Sequence, residues 1–380
     1  MQDRLLPLRG VRVVEFEGIG PGPLCGAMLA AFGATVTLVT RPTAPDARRL
    51  LLDGDMPPEV ALDHDKNVIS LDLKTEAGRA AALDLVADAD ALIEGLRPGA
   101  MERLGLGPAA CHARNARLVY GRMTGWGQTG PLAQSAGHDL NYLALSGLLH
   151  AAARRSTHEG THEGTHEGTY EGALPKTPPM VMGDATGALG LAFGITSAIL
   201  HARASGQGCV VDAAITDIVA MLGGLLNVAR AAGSVDGPLP SPFHDSPFYD
   251  VYRCADGRDL TFAALEPAFY RQWLALLGFD DIDPAAQYDR AHWPALKARV
   301  ADTIAAQPLA YWRERFEGTD ACFAPVLTIE EAARHPHNVE REVYRVYHHG
   351  AREVIQAMPA PRFTSASGAM DNMSIPKSGS

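Results

Sequence analysis

Near the start of the chain a β-branched run, Val11 to Phe16, leads through Gly18-Ile19-Gly20-Pro21-Gly22-Pro23 into the apolar, alanine-rich segment Leu24 to Phe32. Ala34 to Val39 follows as a second strand-like run. Strand, glycine loop, helix and strand in that order is the pattern of a parallel βαβ unit. The alternation continues: Asn67 to Leu71 is strand-like, Glu76 to Ala87 helical, Ala91 to Ile93 strand-like, Pro108 to Asn115 helical and Leu118 to Gly121 strand-like. A chain built this way is expected to form an α/β fold with an open, mostly parallel, Rossmann-like sheet.

Further along, Asp184 to Ala204 is apolar enough for a buried helix of about five turns, and Asp212 to Ala231 reads as another. The Pro/Ser/Gly-rich stretch Gly233 to Pro247 reads as a linker. Phe248 to Ala264 then predicts a hairpin around Ala255-Asp256-Gly257, with helices at Pro267 to Leu277 and Pro294 to Ala306. Beyond Pro325 periodic structure is sparse and the chain is free to return to the first domain. The expected organisation is a large α/β domain over 1–232 and 325–365, a linker over 233–241, a small α+β domain over 242–324 and a tail over 366–380. A length of 380 residues accommodates two or three domains at roughly 150 residues each.

Thr157 to Gly172 is a tandem repeat of Thr-[His/Tyr]-Glu-Gly. On a helix His158, His162 and His166 would share one face, a spacing that can hold a metal. A glycine in every copy costs a helix about 1 kcal/mol relative to alanine, so a solvated insertion is expected and no metal is assigned.

The 44 acidic residues outnumber 33 Lys and Arg, for a net charge of −11, which argues against broad attraction to nucleic acid or anionic lipid. A local basic site for an anionic ligand remains open. Cys25, Cys111, Cys209, Cys254 and Cys322 are odd in number and contain no CxxC pair, the mark neither of a disulfide framework nor of a zinc ribbon. No apolar run approaches the ~20 residues that span a bilayer. A cytoplasmic protein without membrane insertion is expected.

Several residues are candidates for chemistry. The Gly18 to Pro23 loop lacks the Gly-x-Gly-x-x-Gly spacing of a dinucleotide site, so it is either a structural turn or a place where backbone approaches a ligand. His138 stands in Gly137-His138-Asp139; histidine is the side chain best suited to proton traffic at neutral pH, though at a helix start it is often structural. Asp184 precedes the long apolar helix and is expected as its N-cap. That position also sets backbone N–H groups and the helix dipole near a developing enolate oxygen. Glu266, before Pro267, reads as a first-turn helix acid. Arg41, Lys66 and Arg97 fall near the ends of predicted strands, where open sheets bind ligands, and are otherwise surface charges.

Taken together, Leu8-Arg9-Gly10-Val11-Arg12-Val13-Val14-Glu15, Gly20-Pro21-Gly22-Pro23, Glu94-Gly95-Leu96-Arg97-Pro98-Gly99, Arg103-Leu104-Gly105-Leu106-Gly107, the Met123 to Pro131 run, Gly137-His138-Asp139 and Val211-Asp212-Ala213-Ala214 resemble family III CoA transferases. The likeness runs from about Leu8 to Phe363, outside the repeat. Transferases of this family typically carry an aromatic residue where His138 stands. Histidine there, with Asn141-Tyr142 and Leu265-Glu266-Pro267, resembles the α-methylacyl-CoA racemase branch. The family's racemases usually place a second basic residue beside Lys66, where this chain has Asn67.

The resemblance implies a racemase of 2-methylacyl-CoA thioesters working by two-base 1,1-proton transfer. His138 and Asp184 would stand on opposite faces of the carbon, Asp139 beside them, with Glu266 from the partner subunit orienting the imidazole. Arg41, Lys66 and Arg97 would hold the CoA phosphates, Ile19, Gly20 and Pro21 would approach the pantetheine arm, and Tyr142 would join the substrate site. It further implies an interlocked homodimer, no metal, flavin or pyridoxal, and CoA only as part of the substrate. The rival activities are CoA transfer through an aspartyl-CoA thioester at Asp184, and CoA-thioester binding without turnover.

Overall fold

The computed structural model describes residues 5–42, 61–151, 177–235 and 237–365. The repeat at 157–172 and the tail at 366–380 lie outside the described residues. The chain divides into two compact units, one drawing on residues within 5–150, 177–221 and 337–365, the other on Leu222–Pro336.

The first unit is built on a six-stranded parallel sheet. Its strands are β1 (Arg12–Phe16), β2 (Thr35–Thr40), β3 (Asn67–Ser70), β4 (Ala91–Glu94), β5 (Val119–Thr124) and β6 (Cys209–Ala214), in the order β3-β2-β1-β4-β5-β6. The connecting helices are α1 (Pro21–Ala31), α2 (Glu76–Ala87), the single turn α3 (Ala100–Arg103), α4 (Pro108–Arg114), α5 (Asp139–Ser146), α6 (Leu148–Ala151), α7 (Thr186–Ser205) and α8 (Ile215–Leu222).

Successive strand side chains alternate between two apolar layers. Val13, Val36, Ala91 and Ile93 pack with Cys25 and Leu29 of α1 and Leu191 and Ile195 of α7. Val14, Phe16, Val39 and Leu92 pack with Ala82 and Val86 of α2 and Cys111 of α4. Covered on both faces, such strands read as continuous apolar runs, which explains why two acids inside them stand out. Glu15 and Glu94 are both buried. Glu94 accepts Arg122 Nε at 3.0 Å, while Arg122 also reaches Glu102 at 2.6 Å.

Local signals set the helix ends. Pro21 occupies the first turn of α1 behind Gly20, whose φ of 69° falls in the left-handed region that favours glycine. Thr75 caps α2 by accepting the Gly78 N–H at 3.0 Å, and α7 ends on left-handed Gly206.

The second unit contains α9 (Gly224–Ala231), an antiparallel sheet of β7 (Tyr249–Arg253), β8 (Asp259–Ala263) and β9 (Phe323–Pro325), then α10 (Pro267–Leu277), α11 (Trp293–Ala305), α12 (Leu309–Phe316) and α13 (Ile329–Arg334). Its core is aromatic: Phe248, Phe262, Tyr270, Trp273, Trp293, Trp312 and Phe316 are all buried together. α14 (Pro336–Glu340) leads back to the first unit and to the hairpin of β10 (Tyr344–His349) and β11 (Arg352–Ala357).

Four expectations are corrected. Asp212 to Ala231 is not one helix: Cys209–Ala214 is the edge strand β6, passing straight into α8, and Gly223 separates α8 from α9. The Pro/Ser/Gly-rich stretch is no slack linker, because Ser241 and Ser246 are buried. Ser241 Oγ donates to the Ser234 carbonyl and Ser246 Oγ to that of Pro242, each at 2.6 Å. The segment beyond Pro325 carries helices and a hairpin. Finally, Val181–Ser205 is long and apolar enough, by length and composition, to cross a membrane. Leu191, Ile195 and Ile199 instead join the core beside Val119 of β5 and Ala213 of β6, as in the central helix of a layered α/β unit.

Candidate active site

Three elements of the first unit converge: the loop into α1, the start of α5 and the segment ahead of α7. His138 is the N-cap of α5, in extended backbone and exposed, and its N–H donates to Asn141 Oδ1 at 3.1 Å. Asp139, the next residue, is buried. Its Oδ1 accepts the N–H groups of both Gly183 and Asp184 at 2.8 Å. This approach requires Gly183, since a Cβ there would lie 2.5 Å from Asp139 Oδ1.

Asp184 is not an N-cap. Val181–Ala185 forms a π-helical turn, entered through left-handed Met180 (φ 62°) and continuous with α7. Single π turns inserted at helix ends often occur at functional sites. The expected supply of free amides is also corrected: those of Gly183 and Asp184 are engaged by Asp139, and the Ala185 N–H donates to the Met180 carbonyl at 3.0 Å. An enolate oxygen placed against the first two would compete with a carboxylate.

Asp184 is half-buried, and its carboxylate faces backbone: a Cβ at Gly20 would stand 3.3 Å from Oδ2. Burial raises its pKa, the Asp139 charge raises it further, and the His138 imidazole pulls it down. Asp184 therefore lies within electrostatic reach of the His138 imidazole, while a second carboxylate, Asp139, holds its backbone in place.

Tyr142 was expected to meet the substrate, but it is buried. Its hydroxyl donates to the Gly137 carbonyl, and its ring meets Trp126 edge-on with centroids 4.8 Å apart. Burial, followed by the Asp184 charge, pushes its phenol pKa up. A Cβ at Gly125 would lie 2.1 Å from Tyr142 Cε1, and one at Gly137 would lie 2.8 Å from both rings. These glycines, inconspicuous in the sequence, let the aromatic pair support the loop ahead of His138.

The three basic residues separate. Arg41 follows β2, exposed, with Nε 3.2 Å from Glu17 Oε2. Arg97 lies exposed in the loop after β4. Lys66 lies inside the first unit: its side chain is 1% exposed, and Nζ donates to Glu15 Oε1 at 2.9 Å, Glu15 Oε2 at 2.6 Å and the Pro23 carbonyl at 2.9 Å. Its partner Glu15 was missed as a site residue, although an acid inside Val13-Val14-Glu15-Phe16 was a visible anomaly. Ile19 is exposed, and Pro21 begins α1.

Glu266 belongs to the second unit, exposed at the N-cap of α10 without a side-chain capping bond. Its charge helps raise the pKa values of Tyr288 and Cys322, for which burial is the larger cause. A cavity of about 410 Å³ in the same unit, lined by residues including Arg258, Arg313 and Arg334, contains none of the expected site residues. Among the described residues no group of three or more His, Cys, Asp or Glu is placed to hold a metal.

The first unit is an α/β layer built on an open parallel sheet, with the Asp184 carboxylate set against Gly20 of the loop into α1. The crystal structure of a CAIB/BAIF family protein from Brucella suis superposes with a TM-score of 0.70 at 23% identity, covering 97% of this chain and 99% of that one. The profile of CoA-transferase family III matches residues 8–380. The chain belongs to CoA-transferase family III and is an enzyme of that family. It is 38% identical over 337 residues to the alpha-methylacyl-CoA racemase of Mus musculus, covering 88% of this chain and 81% of that protein. It is also 30% identical over 342 residues to a probable fatty acyl-CoA transferase of Mycobacterium tuberculosis, covering 84% and 82% respectively.

Proposed function

We propose that this enzyme is an α-methylacyl-CoA racemase, interconverting the (2R) and (2S) forms of 2-methyl-branched acyl-CoA thioesters in the cytoplasm. The observation that carries the reading is the placement of Asp184: a half-buried carboxylate with a raised pKa, held by Asp139 and within electrostatic reach of the imidazole of His138. The hydrogen beside a thioester carbonyl is weakly acidic, so its removal needs a positioned base of suitable pKa. One of the two groups takes the proton and the other returns a proton to the opposite face, with roles exchanged for the mirror substrate. Likeness to a mammalian racemase across most of both chains supports this over other family chemistry.

CoA enters as part of the substrate, without metal or other cofactor. Arg41 and Arg97, exposed at or beyond strand ends, are suited to its phosphates. On this reading the exposed Ile19 and the backbone of Gly20 would border the pantetheine arm. In a homodimer Glu266 of one protomer would orient His138 of its partner. An apolar stripe on α7, with Leu189 53%, Phe193 69% and Leu200 71% exposed, supplies a surface suited to association.

Purified enzyme incubated with a 2-methylacyl-CoA in heavy water is expected to incorporate deuterium at C2. His138→Ala and Asp184→Asn should each abolish interconversion of the two enantiomers, leaving exchange at most on the enantiomer facing the remaining base, with the protein still folded. A second reading, CoA transfer through Asp184, is favoured by the transferase among the relatives. Incubation with acyl-CoA and hydroxylamine discriminates: a trapped Asp184 adduct, with no deuterium exchange, would replace the racemase reading.

A further inference from the structure

We infer that Lys66 is a positioning residue for Asp184, acting through the Gly20–Pro23 turn, and is not a ligand of the substrate's phosphates; this rests on the reading of Asp184 given above. An ammonium has three N–H donors. Here contacts to Glu15 Oε1, Glu15 Oε2 and the Pro23 carbonyl account for them, within a side chain 1% exposed. The adjoining cavity, bordered by Glu15, Gly18 and Pro23, is about 20 Å³, room for one water and not for a phosphate group.

Burying such a pair gives little net stability, because desolvation cancels much of the attraction. What it confers is location. Glu15 sits in β1 between two strands, paired in register with Leu38 and Ile93. Pro23 sits in the first turn of α1. The ammonium bonds to both and so fixes that turn against the centre of the sheet. The fit is close: a Cβ at Gly26 would fall 1.8 Å from Glu15 Oε2 and 3.0 Å from Lys66 Nζ.

The same turn bounds Asp184. Gly20, three residues before Pro23, presents left-handed backbone to Oδ2, with space for no more than a tight Cβ contact of 3.3 Å. The Gly20–Pro23 turn is thus held on one side by Lys66 and meets the Asp184 carboxylate on the other. Releasing Lys66 lets the turn lift and water reach Asp184.

The test compares wild type, Lys66→Arg, Lys66→Met and the double variant Glu15→Gln/Lys66→Met, which leaves no buried lone charge should Lys66→Met fail to fold. Deuterium exchange is measured with a 2-methylacyl-CoA and with the matching pantetheine thioester, which lacks the nucleotide. The double variant is expected to lose turnover by about tenfold or more on both thioesters alike, the scale of a small misplacement, with KM for the CoA thioester held within about twofold. Lys66→Arg should recover part of the turnover. A rise in KM confined to the CoA thioester, or kinetics equal to wild type in the folded double variant, would overturn the inference. A ¹³C NMR titration of Asp184 separates this result from the racemase reading, since it needs no turnover. Its midpoint should fall in the double variant, and an unchanged midpoint would refute the role of Lys66 whatever reaction the enzyme performs.

Discussion

Asp139 holds the backbone of Asp184: a single oxygen, Oδ1, accepts the N–H groups of Gly183 and Asp184 at 2.8 Å. The start of α5 and the π turn before α7 are joined at this one atom. Asp139→Ala would leave two amides without their acceptor, at an expected loss on the order of 1–3 kcal/mol in urea unfolding. Asp139→Asn, which keeps an acceptor oxygen, should lose less. Equal stability of the alanine variant and wild type would show that the link is dispensable.

Asp184 itself should make stability depend on pH. Burial and the Asp139 charge raise its folded pKa above an unfolded value of about 3.9. Between those two pKa values the native state binds more protons than the unfolded state, so its stability falls as pH rises through that window. Asp184→Asn is therefore expected to melt higher than wild type at pH 7, the gap closing below about pH 4. A gap of constant size across the range would contradict the raised pKa.

The aromatic support under His138 predicts a sharp intolerance. Gly125→Ala puts a Cβ 2.1 Å from the Tyr142 ring, and overpacking of this kind costs about 1–3 kcal/mol. Denaturant melts should register that loss, and deuterium exchange should fall with it as the loop carrying His138 shifts. Unaltered exchange in a destabilised Gly125→Ala protein would separate the packing from the chemistry.

For the basic residues, Arg97→Ala and Arg41→Ala should each raise KM for a CoA thioester severalfold with kcat preserved, and leave the pantetheine thioester unaffected. The difference should shrink in high salt, because exposed charges are screened over about 10 Å at 0.1 M. A kcat effect shared by both substrates would place these arginines elsewhere in the mechanism.

The apolar stripe of α7 can be tested directly. Phe193→Asp places a charge in the middle of that stripe and is expected to convert a dimer to monomer in light scattering at micromolar concentration. An unchanged mass, whether monomer or dimer, would remove this face from the assembly.

Much of the sheet was legible because the signals are local. The limits of α2 and α10 follow directly from Thr75-Glu76 and Glu266-Pro267, and β1, β2 and β4 from apolar runs bounded by turns. β6 was hidden because Val210 to Ala214 enters α8 with no intervening turn residue. Asp184 could be singled out but not placed, since helical periodicity does not reveal the extra residue of a π turn. The role of Lys66 depends on Glu15, distant in the sequence, and spacing alone makes a strand-end lysine look like a ligand for phosphate. Gly183 and Gly125 matter through what their missing side chains admit, which only the assembled neighbours disclose.

The strand order has a consequence for synthesis. β5 lies between β4 and β6, and β6 is encoded beyond the whole interval separating Thr124 from Cys209. While the ribosome works through that interval, β5 has no outer neighbour and offers a row of unpaired amides and carbonyls. Such an edge is a template for another chain. Stalling ahead of Cys209 is therefore expected to leave β5 open to association, until the sixth strand pairs with it and becomes the outer edge in its place.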